Sequence, residues 1–318
     1  MLAITKTKYG GPEVLSLAEV EKPAPKEDEL LVKVEGNSVN PADWHVMRGS
    51  PFFARLSFGL FKPKNKILGA DFAGVIEAVG SKVQGFEVGD HVYGESLRGG
   101  AFAEYLAVKP AACAKYDSNI PAVFMACVPV AGLTAFQAVE THGNVVIGER
   151  VLINGASGGV GHFAVQLAKW KGAHVTAVCS KKNESFVRNL GADDVIPYDE
   201  IDIHSHTEVY DVVFDIHGNL NYKDFKRMGK RGVLVGFTGM GNMLNVLINS
   251  GLRKYPLAQF TAEANTPDLE ILARLIHDGV IEPKVTTVYA FEEIPEAIRV
   301  LEEMRTTGKI GVRLGDRL

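Results

Sequence analysis

The chain has 318 residues, enough for two domains and a sizeable core. Its net charge of −4 comes with no basic run, which argues against a nucleic-acid partner, and no apolar stretch reaches the length of a membrane span. Three widely spaced cysteines, Cys113, Cys127 and Cys179, form neither a disulfide framework nor a CxxC pair, which fits a reducing, cytoplasmic setting.

Residues 1–122 read as β-rich. Residues 1–9 alternate like a strand and lack the apolar core of a signal peptide. Short apolar runs at 2–4, 14–17 and 29–36 are separated by Tyr9-Gly10-Gly11-Pro12 and by Lys22-Pro23-Ala24-Pro25-Lys26. Asn40-Pro41-Ala42-Asp43-Trp44 leads into a short helix, and residues 52–61 are aromatic-rich. Residues 68–80 carry the signal of a strand pair, with glycines where backbones meet, and 89–94 and 101–108 continue the β pattern. Many short strands punctuated by Gly and Pro indicate a barrel or sandwich. From about Met125 helix and strand alternate, which predicts a doubly wound parallel sheet in an α/β chain. Helices are expected near 132–141, 184–190, 222–228, 267–278 and 294–304, and strands at 195–196, 212–216, 233–237, 284–289 and 309–314. Residues 240–260 are less periodic, and a lid and a dimer edge both stay open for 240–255.

The stretch 151–180, VLINGASGGVGHFAVQLAKWKGAHVTAVCS, is one βαβ unit. Val151-Leu152-Ile153 is a buried-strand run, and glycines follow at 155, 158, 159 and 161. Val160, Ala164, Leu167 and Ala168 then mark one helix face, and 175–179 is a second apolar run. The spacing GxxGGxG departs from GxGxxG, but the strand before it and the helix after it are the context of a pyrophosphate cradle. Ser157, Gly158, Gly159 and Val160 should hold that group. An NAD site carries an acid at the end of the second strand. Here Ser180, Lys181, Lys182 and Asn183 precede any acid. A hydroxyl and two ammonium groups attract a 2′-phosphate, so NADP(H) is favoured; two solvated lysines at a helix start are the competing account.

These stretches together resemble the medium-chain dehydrogenase/reductase superfamily, and within it the zinc-independent NADPH:quinone oxidoreductase and enone reductase branch. The motifs are Asn40-Pro41-Ala42-Asp43-Trp44, Gly69-Ala70-Asp71-Phe72-Ala73-Gly74, Phe86-Glu87-Val88-Gly89-Asp90-His91-Val92, Gly132-Leu133-Thr134-Ala135, the glycine loop, and Gly308-Lys309-Ile310. The resemblance covers nearly the whole chain. It implies a GroES-like catalytic domain over 1–122 and 286–318, a Rossmann NADP(H)-binding domain over 123–285, and a homodimer acting on a small quinone or enone. In the resembling alcohol dehydrogenases a catalytic zinc is held at positions that here are Asn40, Ala70, Asp71 and Val130, of which Asp71 alone is a good ligand. The structural zinc of those enzymes needs four clustered cysteines. No metal is therefore expected. Alcohol oxidation, which needs a Lewis acid, gives way to reduction of acceptors already activated by conjugation.

The resemblance assigns roles residue by residue. Asn40 and Asp43 are the catalytic candidates: the Asn40 amide bonds the substrate carbonyl or the nicotinamide ribose, and Asp43 orients its loop. An Asn-Pro turn cap and a dipole-favoured carboxylate are the plainer readings. Thr134 matches the residue facing the nicotinamide. Ser180, Lys182, Asn183 and Tyr198 match the 2′-phosphate region, with Lys181 or Lys182 in place of a lysine expected at 183. His217 packs on the adenosine or ribose, or else is a capping or exposed histidine. Gly236, Phe237 and Thr238 approach the nicotinamide. Trp44, Phe52 and Phe53 line a substrate cleft, with Phe58 and Phe61 beside them, unless these aromatics are core. His45 alone does not make a metal site. A zinc-type NAD(P) alcohol dehydrogenase and an NADPH-binding sensor or structural protein without turnover stay open as alternatives.

Overall fold

The computed structural model describes residues 1–52, 55–96, 99–236, 246, 248 and 255–315. Its strands in chain order are β1 (Leu2–Thr5), β2 (Ser16–Glu19), β3 (Leu30–Ser38), β4 (Asp71–Val79), β5 (His91–Glu95), β6 (Tyr105–Val108), β7 (Cys113–Lys115), β8 (Arg150–Asn154), β9 (His174–Cys179), β10 (Asp194–Pro197), β11 (Tyr210–Asp215), β12 (Gly229–Leu234), β13 (Leu257–Gln259), β14 (Val285–Ala290) and β15 (Lys309–Arg313). The helices are α1 (Pro41–Arg48), α2 (Arg55–Phe58), α3 (Ala122–Met125), α4 (Pro129–Phe136), α5 (Gly161–Trp170), α6 (Glu184–Asn189), α7 (Tyr222–Met228), α8 (Thr266–His277) and α9 (Ile294–Glu302). None of the described helices is long and apolar enough to cross a membrane.

The chain divides into two compact units, one of residues 1–131, 264–278 and 283–318, the other of 132–263 and 279–282. In the first, β14-β15-β3-β4-β5-β7 form one sheet, β6 also pairs with β3, and β1 and β2 form a separate ribbon. Two apolar clusters fill it, one centred on Ile4, Met47, Phe102 and Ile298, the other on Leu30, Phe72, Ile76 and Val92. In the second unit the order β10-β9-β8-β11-β12-β13 runs parallel throughout. That is the strand order 3-2-1-4-5-6 of the dinucleotide fold, with its reversal between β8 and β11.

Several expectations needed adjusting. Residues 68–80 give one nine-residue strand, β4, rather than a pair. Residues 123–131 and 264–278, expected with the Rossmann domain, pack in the first unit. There Val123 closes on Gly36, where any side chain would meet the Val123 amide at 2.7 Å. The α8 carbonyl of Leu269 accepts a 2.5 Å bond from the buried Tyr93 hydroxyl, and Thr266 Oγ1 donates to the Pro110 carbonyl. Helix α5 is buried over Gly161–Ala168, not on one face only. Beyond the sheet side, Gln166 closes a pair of bonds with the Glu282 backbone, at 3.0 and 2.8 Å. An amide there satisfies a backbone that would otherwise lose its partners on burial.

Candidate active site

Strand register assembles the polar cluster of the first unit. Gly311 opposes Ser38, Ser38 opposes Asp71, and Asp71 opposes Glu95. Two residues further along, where Val39 N–H donates to the Ile310 carbonyl at 3.3 Å, the same alignment sets Lys309 beside Asn40. Residues from four strands thus meet at one end of the sheet, and Asn40, Asp43, Asp71, Glu95, Ser38 and Lys309 are all at least 97% buried.

Buried polar groups must find partners, and these do so around Asp71. Its Oδ2 accepts from Ser38 Oγ at 2.6 Å and Asn40 Nδ2 at 2.7 Å, and its Oδ1 accepts from the Val130 N–H at 2.9 Å. Lys309 Nζ donates to Asn40 Oδ1 at 2.5 Å and lies 3.6 Å from Asp71 Oδ2. Asn40 does occupy the N-cap position of α1, with Pro41 first in the helix. Its own N–H donates to Asp43 Oδ2 at 2.8 Å. The Asn40 amide is also engaged by Asp71 and Lys309.

Burial shifts the proton affinities here. Desolvation lifts Asp43 to about 7, with the Asp71 charge adding to the rise while the Asn40 N–H and Lys309 oppose it. Desolvation, with the charges of Asp71 and Asp43 behind it, lifts Glu95 to about 8, and its Oε2 has no hydrogen-bond partner among the described residues. Lys6, donating to the Val46 carbonyl at 2.6 Å, is pushed down to about 8 by burial.

A catalytic zinc does not fit this set. The positions that would ligate it are a neutral amide, an alanine, a valine and a carboxylate already bonded on both oxygens. No three His, Cys, Asp or Glu residues converge as metal ligands among the described residues. His45 stacks on Trp44 at 3.7 Å and its Nδ1 bonds the Ser50 carbonyl, so it is packed. Phe52 and Phe61 are exposed, not core, and Trp44 is partly buried against the Ile4–Ile298 cluster. Phe53 lies outside the described residues.

In the second unit β8 ends at Asn154 and the glycine loop follows. Gly155 has φ +86°, a conformation that favours glycine. Among the described residues the backbone N–H groups of Ser157, Gly159 and Val160 have no partner, while that of Gly158 donates to the Gly155 carbonyl at 3.2 Å. Free amides at the start of a ten-residue helix suit a pyrophosphate. Asp215, at the end of β11 opposite Asn154, is the organiser that sequence reading passed over. It takes the Asn154 amide and the N–H groups of Gly218 and Leu220 at 2.7, 2.8 and 2.7 Å, and burial lifts it to about 6. His217 is exposed on the loop so formed, and its backbone N is 3.1 Å from where a Gly155 side chain would start.

After β9, Ser180 is buried and Asn183 Nδ2 donates to Ser157 Oγ at 3.0 Å, tying this segment to the glycine loop. Lys181 Nζ lies 3.0 Å from Glu184 and 3.5 Å from Glu200. Lys182 is exposed and makes no ion pair among the described residues, and Tyr198 is 58% exposed. Thr134 is half-buried on α4, and Gly236 donates its N–H to the Asp215 carbonyl at 3.3 Å. Phe237, Thr238 and most of 240–255 lie outside the described residues, Val246, Ile248 and Tyr255 excepted.

The alcohol dehydrogenase GroES-like domain matches residues 26–121, and the zinc-binding dehydrogenase domain matches 190–312. The chloroplast envelope quinone oxidoreductase homolog of Arabidopsis thaliana is 31% identical over 98% of this chain and 97% of its own length. The chain belongs to the quinone oxidoreductase branch of the medium-chain dehydrogenase/reductase superfamily. Within that branch this oxidoreductase is also 32% identical to the NADPH-dependent alkenal/one oxidoreductase of A. thaliana, over 98% of this chain and 79% of that one. The quinone oxidoreductase of Coxiella burnetii superposes with a TM-score of 0.89, at 29% identity and 99% coverage of both chains. A GroES-like unit and a nicotinamide-binding Rossmann unit are thus the two working parts of the enzyme.

Proposed function

We propose that this chain is an NADPH-dependent, zinc-independent reductase of quinones or α,β-unsaturated carbonyls. The observation that carries the reading is the buried Asn40–Asp71–Lys309 cluster standing where metal ligands would be, in a chain that also has the glycine cradle. NADPH supplies a hydride when bound. The protein's part is to hold the dinucleotide on the Ser157–Val160 amides, keep water out, and offer Asn40 to the acceptor oxygen. Names of relatives support both acceptor classes, quinone and alkenal. The same reading has the enzyme act as a homodimer in a reducing, cytoplasmic compartment; three buried, unpaired cysteines fit a reducing setting.

Purified protein incubated with NADPH and a small enone, beside 1,4-benzoquinone, should consume NADPH and yield the saturated ketone, the hydroquinone, or both. Elemental analysis should find zinc well below one atom per chain. NADPH binding without turnover on either acceptor would favour a sensor, and stoichiometric zinc with alcohol oxidation would favour the alcohol dehydrogenase reading.

Cofactor choice gives a second test. Of the two lysines after β9, Lys182 is the one left for a 2′-phosphate, because Lys181 already faces Glu184 and Glu200. A charged hydrogen bond is worth about 1.5–3 kcal/mol. Lys182→Ala should therefore weaken NADPH about tenfold or more and NADH hardly at all, while Lys181→Ala changes both little. Equal losses for the two nucleotides would count against the phosphate role.

A further inference from the structure

The closing strand β15 places a lysine in the interior. Lys309 is 3% exposed, and neither the sheet nor the apolar clusters need an ammonium there. Its contacts explain it. An ammonium only donates and an ionised carboxylate only accepts. Lys309 Nζ sits 2.5 Å from Asn40 Oδ1 and Asp71 Oδ2 sits 2.7 Å from Asn40 Nδ2. Rotating the amide by half a turn would set donor against donor and acceptor against acceptor. One orientation of Asn40 therefore survives. Lys309 is held in turn by the Val39 carbonyl at 3.4 Å and the Asp71 carboxylate at 3.6 Å. The other charged or titratable groups around this pair are Asp43, Glu95 and Cys127.

We propose that Lys309, paired with Asp71, is a positioning residue of the catalytic site: it locks the Asn40 amide and strengthens its second N–H as the donor to the substrate oxygen. The inference rests on the role given to Asn40 above. A charged donor on an amide oxygen draws electron density from the nitrogen, and linked hydrogen bonds reinforce one another. In enone reduction the hydride's electron pair forms the new bond at the β-carbon. The displaced π electrons collect on the carbonyl oxygen, and solvent supplies the proton that completes the ketone. The nicotinamide is oxidised and the enone reduced. The developing oxyanion is the group that the polarised N–H would face.

The test is a double-mutant cycle on the full chain, read with NADPH and a small enone. Asn40→Ala should lower kcat about 100-fold. Lys309→Met should lower it tenfold or more, with the NADPH dissociation constant within twofold of wild type. The double variant should be no slower than Asn40→Ala alone, because Lys309 acts through that amide. Lys309→Gln, which keeps a neutral donor, should fall between wild type and Lys309→Met. Asp71→Asn with Lys309→Met removes both charges together; it should keep the fold and still show the rate loss, and it carries the comparison if Lys309→Met does not fold. Losses that multiply in the double variant, or Lys309→Met at the wild-type rate, would overturn the proposal. An Asn40→Ala enzyme at the wild-type rate would remove the Asn40 role itself, and this inference with it.

Discussion

Gly161→Ala should weaken NADPH binding about fivefold or more and lower the melting temperature, whereas Gly158→Ala should weaken binding with the melting temperature of the free protein unchanged. The two glycines are glycine for different reasons. A methyl group on Gly161 would press on the Gly155 carbonyl oxygen and stand 2.8 Å from the Ala156 Cα and carbonyl carbon, all backbone atoms that cannot step aside. The loop must shift or the start of α5 must lift away from it, and overpacking of this kind costs about 1–3 kcal/mol. Gly158 is different. A methyl there meets only the Gly155 carbonyl oxygen, at an ordinary 3.5 Å. Among the described residues nothing explains its missing side chain, and close approach of a pyrophosphate is the proposed account. Isothermal titration with NADPH and calorimetry of the unliganded variants separate the two effects. Unchanged NADPH affinity in Gly158→Ala would remove the pyrophosphate from this loop.

What the sequence showed, and what it hid, divides along physical lines. The βαβ unit was legible because a strand run, four glycines and a helical period lie within thirty residues. The helix at 222–228 was placed to the residue, since its bounds are Tyr222–Met228. Long-range partnerships were not legible. Gly308-Lys309-Ile310 stood out as a motif, yet only the β15–β3 pairing sets Lys309 beside Asn40, across 269 positions of sequence. Asp71 read as the one good metal ligand of its set; its task as acceptor for Ser38, Asn40 and Val130 depends on strand register. The signal that was available is a lone lysine opening an apolar closing strand, where a charge is out of place. Lys181 and Lys182 looked equivalent for the same reason. Which one is tied to Glu184 and Glu200 is decided by the turn after β9, not by spacing. Aromatics at 52–61 looked like core or cleft by composition, and Phe52 and Phe61 are exposed.

Asp71→Leu should be among the most destabilising single changes in the chain, lowering the melting temperature by about 10 °C. The side chain removed is fully buried and accepts three hydrogen bonds. Leucine fills similar space but takes the acceptor away from Ser38 and Asn40. It also leaves the Lys309 ammonium buried without its counter-charge. Breaking a buried pair from one side costs about 3–5 kcal/mol, because the remaining charge keeps its desolvation penalty and loses its compensation. For a unit of this size each kcal/mol moves the midpoint by roughly 2–4 °C. Replacing both partners should cost far less. In Asp71→Asn with Lys309→Met the amide oxygen at 71 can still accept from Ser38 and Asn40; the amide nitrogen cannot accept from the Val130 N–H, but no charge is stranded. Calorimetry should therefore find the double variant several degrees above Asp71→Leu, although its reductase rate stays low. A melting temperature for Asp71→Leu within about 2 °C of wild type would mean that the cluster is hydrated and that Lys309 is not held as a buried ion. Recovery of stability without recovery of rate would show that the charges serve the orientation of Asn40 and not the integrity of the sheet.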